Sequence, residues 1–257
     1  DYKETMTSVK IGSGITSIKS NPFIGCTSLT NIIFESNEYF KFEQGMILTK
    51  DSKELISYVE GTKETSFIFL PDELEIIHEN AFSGNDKLEM IVIPLNVKTI
   101  GNNAFYECPN VAFTTIPDSV TTIGTGAFYY CTKLALTELP KALSIEIPTR
   151  CFSSCQSMSL NKLPDGIQKI GGYAFFHSFC IKDTVFPASL ESVGYEGLRG
   201  CSYNKTFVFL GDCTNLSFTD SALTQNSGLE DVVFPNAVAV PTCGRNILSG
   251  SRLGNLG

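Results

Sequence analysis

A repeat of 23 residues constrains this chain more than any other feature of its sequence. Between Pro94 and Pro140 the same order of residues occurs twice: a proline, a β-branched residue, Ile-Gly, and then Ala-Phe-x-x-Cys. Boundary residues continue from Pro71 to Pro235 at intervals of 23, 23, 23, 24, 23, 23 and 25 residues, with Leu210 in place of one proline. A fixed period in this range predicts a solenoid, in which each coil buries its apolar side only against its neighbours.

Each coil also contains a large anchor residue that usually follows a small one. The anchors are Phe82, Phe105, Phe128, Phe152, Phe175, Leu198 and Leu223. The small residue lets the turn approach the next coil, and the large side chain then fills the interior. A pair such as Ile100-Gly101 stands before most anchors, and its glycine is predicted to adopt a positive φ at a tight corner.

Short β-branched or aromatic runs directly precede several boundary residues, for example at residues 91–93 and 207–209. Proline cannot continue a ladder, so each strand ends there. Strands at one place in successive coils must stack in parallel. The sequence therefore predicts one domain over residues 1–257, a right-handed, mostly β or α+β solenoid of about nine 23-residue coils with one parallel sheet along one face.

Two stretches depart from the regular period. Residues 36–66 contain 13 extra residues, in which two apolar runs (45–49 and 55–59) flank a polar segment and predict a β-hairpin. The hairpin would project from the solenoid or pack along its side, either as a functional loop or as a cover for one end. Residues 235–257 form a degenerate C-terminal coil without a predicted strand, either a loose cap or a point where the solenoid is truncated.

Five of the nine cysteines occupy one fixed place, three residues after the anchor position. They are Cys26, Cys108, Cys131, Cys155 and Cys201. We expect buried free thiols that act as small apolar fillers, because Asn85, Ser178 and Asn226 fill the same place in other coils. No pair has CxxC spacing and the chain has only two histidines, so a zinc site is not predicted.

Charge and hydropathy limit the classes of partner. The net charge is −8, which argues against nucleic acid as the main ligand, because binding it needs a basic face. The charge is uneven, since residues 1–95 hold 15 acids and 8 bases, a net charge of −7. No apolar run is long enough to span a bilayer. The sequence shows no signal peptide and begins at Asp1, which suggests a trimmed or mature fragment.

The sequence contains no converging set of catalytic groups. His78 and His177 lack a nucleophile and an acid in a recognised motif, and no phosphate-binding glycine loop, HExxH or EF-hand pattern occurs. The acidic cluster between residues 72 and 79 is typical of a solvated face. We therefore predict a protein that is not an enzyme and needs no cofactor or metal.

Four consecutive coils have a polar residue at the second apolar position of the strand. These residues are Thr114, Thr137, Asn161 and Thr184. If the strand keeps its register, they point inward, where each buried polar group without a partner costs about 1–3 kcal/mol. If the backbone shifts by one residue, they reach water and their predecessors turn inward, because a one-residue slip reverses every side chain of a strand. The cost of burial favours the shift.

The unshifted register would create a candidate interaction surface. It would expose an apolar stripe of Phe113, Leu136 and Leu160 on the sheet face, and an exposed apolar stripe marks a contact site. Glu138 and Lys162, each two residues after a member of the stripe, belong to the same candidate surface. Both registers remain open at this stage.

The repeat resembles the leucine-rich repeats of the BspA-like class. One full copy stands here as Leu88-x-x-Ile91-x-Ile93-Pro94-x-x-Val97-x-x-Ile100-Gly101-x-x-Ala104-Phe105-x-x-Cys108. The resemblance covers nearly the whole chain and implies a secreted or surface-attached protein, often bacterial, with some relatives that act as adhesins toward host matrix proteins. The expected function is an extracellular or cell-surface interaction module that binds a protein or glycan, and the alternative is a structural spacer that presents another domain.

Overall fold

Short strands, repeated from coil to coil, form almost all of the regular structure of this protein. The computed structural model describes residues 3–59, 66–143, 145–178 and 183–253. The ends of the predicted domain and part of the predicted insertion (60–65) therefore lie outside the described residues. No α-helix occurs within the described ranges, so the fold there is β rather than α+β.

The strands are numbered in chain order. They are β1 (Ser8–Ile11), β2 (Asn31–Phe34), β3 (Phe40–Glu43), β4 (Met46–Thr49), β5 (Glu54–Tyr58), β6 (Phe67–Phe69), β7 (Ile76–Ile77), β8 (Met90–Val92), β9 (Thr99–Ile100), β10 (Thr122–Ile123), β11 (Glu146–Ile147), β12 (Lys169–Ile170), β13 (Asp183–Phe186), β14 (Ser192–Val193), β15 (Thr206–Phe209), β16 (Ser217–Phe218), β17 (Asp231–Val233) and β18 (Thr242–Cys243). None is longer than five residues, so tertiary stacking rather than strand length must hold the fold.

These strands fall into two parallel rows along the solenoid. In one row the strand lies just before the boundary residue, and the paired groups are β1-β2, β6-β8 and β13-β15-β17. In the other row two-residue strands precede the next turn, and the parallel groups are β7-β9-β10 and β11-β12-β14-β16-β18. The predicted parallel solenoid is confirmed, in a stack of about ten turns. It carries two rows of strands where a single sheet was predicted.

The turn that contains each anchor forms the third side of the coil. Its backbone amides donate to the following coil, as in the bonds from Phe82 N to Ala104 O and from Phe105 N to Ala127 O, both 2.8 Å long. Residues with positive φ bracket the turn four positions apart, for example Asn103 (φ 52°) and Glu107 (φ 54°). This conformation bends the chain sharply enough to close a coil in so few residues.

The glycines of the Ile-Gly pairs serve a purpose other than the one predicted. Gly101 and Gly124 do not have positive φ. A Cβ at Gly101 would lie 2.6 Å from the backbone nitrogen of Glu79, and one at Gly124 would lie 2.4 Å from that of Asn102. Glycine is required here because successive coils approach each other too closely for any side chain.

A column of aromatic rings runs through the centre of the solenoid. The rings of Phe82, Phe105, Phe128, Phe152 and Phe175 stack with centroid separations of 4.9, 5.3, 5.5 and 5.6 Å. All five side chains are buried. The predicted anchors therefore form one continuous core, in which each ring is held by the coils on both sides.

The predicted hairpin is confirmed, but it neither projects nor packs on the side. Strands β4 and β5 pair antiparallel, β3 adds a third strand, and β5 pairs parallel with β7 of the next coil. Ile47 and Ile56 face a small core around Leu29, whereas Leu48 and Leu55 belong to the main core. The hairpin is thus a layer within the stack that is buried on both faces.

A buried polar link fixes the hairpin between its neighbours. Ser57 Oγ donates to Asn21 Oδ1 at 2.6 Å, and Asn21 Nδ2 donates to the carbonyl of Asn80 at 3.0 Å. Ser57 and Asn21 are both buried, where a satisfied hydrogen bond sets one geometry because the alternative is an unpaired polar group. The first coil, the hairpin and the next coil are therefore held in register by one network.

The expected one-residue shift occurs in three of the four coils that have a polar residue at the second apolar position of the strand. Phe113, Leu136 and Leu160 are buried, while the polar residues that follow them are exposed. The first row of strands is interrupted at these coils. Thr184 keeps the original register opposite Phe207, and its buried hydroxyl has no hydrogen-bond partner among the described residues.

We expect replacement of Thr184 by valine to stabilise the protein. Valine has nearly the same shape, and removal of the unpaired hydroxyl should raise the free energy of unfolding by about 1–3 kcal/mol. Urea unfolding followed by far-UV circular dichroism measures the change. Thr137→Val is the matched control and should have little effect, because Thr137 is exposed. A loss of stability at position 184 would mean that the hydroxyl has a partner.

The cysteines of the fixed place are free and buried, as predicted. The thiols of Cys108, Cys131 and Cys155 lie 3.1, 3.0 and 3.0 Å from the carbonyl oxygens of the anchors one coil back. Ser178 Oγ donates to the carbonyl of Phe152 in the same way. These thiols therefore cap carbonyl groups, and burial raises the pKa of Cys131 well above its usual value, which makes that thiol a poor nucleophile. Cys180 lies outside the described residues.

The expectation that no strand follows Pro235 is wrong. Strand β18 pairs parallel with β16, and Ser251 Oγ donates to the carbonyl of Leu223 at 2.9 Å, as the thiols do in earlier coils. Ile247 and Leu248 pack against the main core. The segment from 235 to 253 therefore follows the backbone course of a coil, although Val238 and Val240 stay exposed.

Candidate functional site

Strands β6 and β8 carry an exposed apolar patch, and Val238 and Val240 near the C-terminal end are also highly exposed. Phe69 and Val92 are 71% and 66% exposed, and Leu95 is 82% exposed just after β8. Phe67 and Met90 are each 45% exposed. We call Phe67, Phe69, Met90, Val92 and Leu95 the apolar strand surface. Scattered apolar residues are normal on a protein surface, but a contiguous group of this kind marks a contact site.

The pleat of the two strands explains why this surface is continuous. Ile68 and Ile91 point into the core and are buried, so the residues on either side of them point outward. Phe67 lies beside Met90 and Phe69 beside Val92 in the parallel register. The rings of Phe67 and Phe69 lie 5.5 Å apart. The outward positions of both strands therefore form one block of side chains.

The block ends abruptly in the next coil. Ala112 and Thr114 follow at the outward positions there, and both are exposed. The shift of the backbone at Phe113 also removes the strand pairing at that place. The change from large apolar to small and polar side chains gives the apolar strand surface a defined edge.

A cleft of about 500 Å³ lies between this surface and the hairpin. Phe69, Asp72 and Glu73 line one side, and Lys41 and Glu43 of β3 line the other. Lys41 and Glu43 form an ion pair at 3.3 Å. Asp72 and Glu73 are exposed and have no ion pair among the described residues. The edge of the apolar strand surface that faces the hairpin is therefore acidic.

Glu75 anchors the hairpin to two coils near this cleft. Its carboxylate accepts hydrogen bonds from Lys53 Nζ and Lys98 Nζ, each at 2.8 Å. The hydrogen bond from Lys53, then that from Lys98, lowers the pKa of Glu75 from 4.5 to about 2. The three side chains remain partly exposed, so each pair makes a modest contribution.

The contribution of these ion pairs to the free energy of unfolding should depend on pH. The folded-state pKa of Glu75 is depressed, so the contribution is complete above about pH 4.5 and is lost as the pH falls toward about 2. We expect Glu75→Gln to be less stable than the native chain at neutral pH, and the difference to close between these two pH values. Urea unfolding of both proteins across this range tests it. A difference that stays constant down to pH 2 would contradict the assignment.

The structure corrects the candidate surface predicted from the polar coils. Phe113, Leu136 and Leu160 are buried because the backbone shift turns them inward, so they offer no contact to a ligand. Glu138 and Lys162 are exposed and line one cleft of about 350 Å³. A role for these two residues in binding stays a prediction.

Other kinds of site are not evident in the part of the chain that the structure describes. Within it, no group of three histidine, cysteine or carboxylate side chains is arranged to hold a metal ion. A search of the same residues also finds no helix with the length and apolar character needed to cross a membrane.

The architecture defines a class of protein, a parallel solenoid of leucine-rich repeats. The sequence profile of the BspA type leucine rich repeat region matches in six copies, over residues 2–46, 57–155 and 145–256. The chain therefore belongs to the BspA-type leucine-rich repeat family. A solenoid of this family suggests a surface module for protein interaction.

Solved structures with the same fold come from several bacteria. A leucine-rich repeat protein from Eubacterium ventriosum superposes with a TM-score of 0.69 at 20% identity, over 92% of this chain and 60% of its own length. The T. pallidum leucine-rich repeat protein gives a TM-score of 0.58 at 24% identity, over 74% of this chain and 88% of its own. The pneumococcal vaccine antigen PcpA gives a TM-score of 0.52 at 13% identity, over 94% of this chain and 68% of its own length. At these identities the likeness shows the fold alone. The search of curated proteins found no match.

Proposed function

We propose that this chain is a non-catalytic interaction module, displayed outside the cell or on its surface, that binds a protein through the apolar strand surface. The observation that carries the proposal is the group of five large, exposed apolar side chains, four on the paired strands β6 and β8 and Leu95 just after β8. Complete burial of a fully exposed side chain of this kind gains about 1.5–3 kcal/mol, and these partly exposed side chains would each gain a share of that. A surface of this kind supports adhesion to a host or neighbouring-cell protein.

The chemistry of the surface favours a protein over a glycan. Met90, Val92 and Leu95 are aliphatic and provide no side-chain polar groups for sugar hydroxyls. Aliphatic and aromatic side chains together are typical of the core of a protein interface. The carboxylates of Asp72 and Glu73 at the edge add complementarity to a partner segment that carries basic residues.

A binding screen with a matched pair of variants tests the proposal. The purified chain is tested against immobilised fibronectin, fibrinogen, laminin and mucins, with heat-unfolded protein as the control for non-specific adsorption. For any partner bound, the double variant Phe69→Ser, Val92→Ser should lose at least about tenfold in affinity, as expected for central contact residues. Val233→Ser is the matched control, because Val233 is an exposed outward residue of β17 in the same row of strands.

Three outcomes separate the candidate functions. Saturable binding that the double variant loses and Val233→Ser retains supports the proposal. Binding that both variants retain places the contact elsewhere on the solenoid. No binding to any member of the panel favours the alternative function, a spacer that presents another domain.

A further inference from the structure

A second surface cleft lies on the turn side of the solenoid, away from the apolar strand surface. It has a volume of about 380 Å³, and the residues that line it are Gly84, Asp86, Glu107, Pro109, Tyr129 and Tyr130. Gly84, Glu107 and Tyr130 occupy the same place in three successive coils and all have positive φ, at 77°, 54° and 59°. The cleft therefore crosses the junctions between three coils.

The cleft exists because the first of these three residues has no side chain. A Cβ built on Gly84 would meet no heavy atom within 4 Å. Glu107 and Tyr130 carry long side chains at the equivalent places, and both are exposed. The missing side chain leaves room beside a carboxylate and an aromatic ring.

The charges that line this cleft are all negative. Asp86 and Glu107 are exposed, and neither has an ion pair among the described residues. Tyr106, whose ring stacks on that of Tyr129 at 4.8 Å, has a raised pKa because of burial and its hydrogen bond to Glu107. The cleft thus combines aromatic rings with two carboxylates that lack a cation.

Elsewhere on the same side of the solenoid, an arginine of the chain itself lies beside an aromatic ring and a carboxylate. The guanidinium of Arg199 lies 5.4 Å from the ring centre of Phe176, and its Nη1 lies 2.7 Å from Glu196 Oε2. Phe176 has the place in its coil that Tyr129 has two coils earlier. Arg150 covers the ring of Tyr173 in a similar way at 5.3 Å. An aromatic ring with a nearby carboxylate thus accepts a guanidinium in this fold.

We propose that the cleft around Glu107 and Tyr130 binds the side chain of an arginine in a partner protein. The guanidinium stacks on a tyrosine ring and pairs with the carboxylates of Glu107 and Asp86, as Arg199 does with Phe176 and Glu196 within the chain. The site uses no residue of the apolar strand surface. It therefore stands or fails independently of the proposed function.

The experiment is a titration of the full chain with a blocked Gly-Arg-Gly peptide, followed by ¹⁹F NMR of protein that contains 3-fluorotyrosine. We expect a saturable shift of the Tyr129 or Tyr130 resonance, assigned with the variants Tyr129→Phe and Tyr130→Phe. The same peptide with citrulline in place of arginine keeps the shape without the charge, and it should bind at least about tenfold more weakly. Added salt should lower the affinity for the arginine peptide, because it screens charges at an exposed site.

Two variants complete the test. Glu107→Gln should lower the affinity for the arginine peptide by about fivefold or more, as expected for the loss of a charge-assisted hydrogen bond. Ser154→Ala, at the equivalent place in a later coil, should leave it unchanged. The proposal is overturned by any of three results: no saturable shift, equal binding of the citrulline peptide, or full retention of binding in Glu107→Gln.

Discussion

Replacement of Phe128 by alanine should lower the free energy of unfolding by about 3–5 kcal/mol. The side chain is fully buried, and its ring stacks on Phe105 at 5.3 Å and on Phe152 at 5.5 Å. The ring of Phe113 lies roughly perpendicular to it, with the ring centres 5.9 Å apart. Alanine would leave a cavity between rings that the backbone bonds of the coils hold in place, so the neighbours cannot close it by moving together.

Tyr130→Ala is the matched control for this experiment. It also removes an aromatic ring, two residues further along the same turn, but that ring is 47% exposed. We expect a change below about 1 kcal/mol, the usual size for surface substitutions. Chemical unfolding followed by circular dichroism compares the two variants. Equal effects at positions 128 and 130 would show that the aromatic column is not the core.

Gly124→Ala should have an effect of similar size, although it adds only one methyl group. The new Cβ would lie 2.4 Å from the backbone nitrogen of Asn102 and 2.6 Å from the carbonyl carbon of Gly101. These are backbone atoms of the preceding coil, so a rotation of a side chain cannot relieve the contact. Forced packing of this kind costs 1–3 kcal/mol or occasionally more, and we expect the upper end, about 3 kcal/mol.

Gly166→Ala provides the control for a change from glycine to alanine. A Cβ at Gly166 would meet no heavy atom within 4 Å, and its φ is not positive. Its effect should be small, or slightly stabilising, because alanine restricts the unfolded chain. If Gly124→Ala is as stable as Gly166→Ala, successive coils do not approach as closely as described, and the glycine would then need another explanation.

The anchors were predictable from sequence because they repeat a strong signal at constant spacing. Phe105 and Phe128 are 23 residues apart, and their rings stack in the structure. The same holds for the cysteines that cap the anchor carbonyls. The second row of strands was not predictable, since a two-residue strand such as β9 is too short to show a period of two.

Long-range packing decided the features that the sequence left open. The hairpin pattern at residues 45–59 is local, but its place between two cores depends on Leu55 pairing beside Ile77. The reason for glycine at position 124 likewise lies in the preceding coil, at Asn102. Neither contact leaves a mark in the local sequence, because the partner is 22 residues away in both cases.

The candidate site was missed for a similar reason. The outward residues Phe67, Phe69, Met90 and Val92 stand in runs where every position is apolar, so no alternation indicates which of them face water. A signal was nevertheless present, since the outward positions of the next coil carry alanine and threonine, at Ala112 and Thr114. Comparison of these positions between coils would have identified β6 and β8 as unusual.

Site-specific photo-cross-linking shows directly whether a partner protein contacts the apolar strand surface. A photoreactive phenylalanine is placed at position 69, or at position 233 as the control, and each protein is irradiated with a partner from the binding screen. We predict a covalent product with the partner from position 69 and none from position 233. A product that forms from position 233 and not from position 69 would contradict a contact at the apolar strand surface.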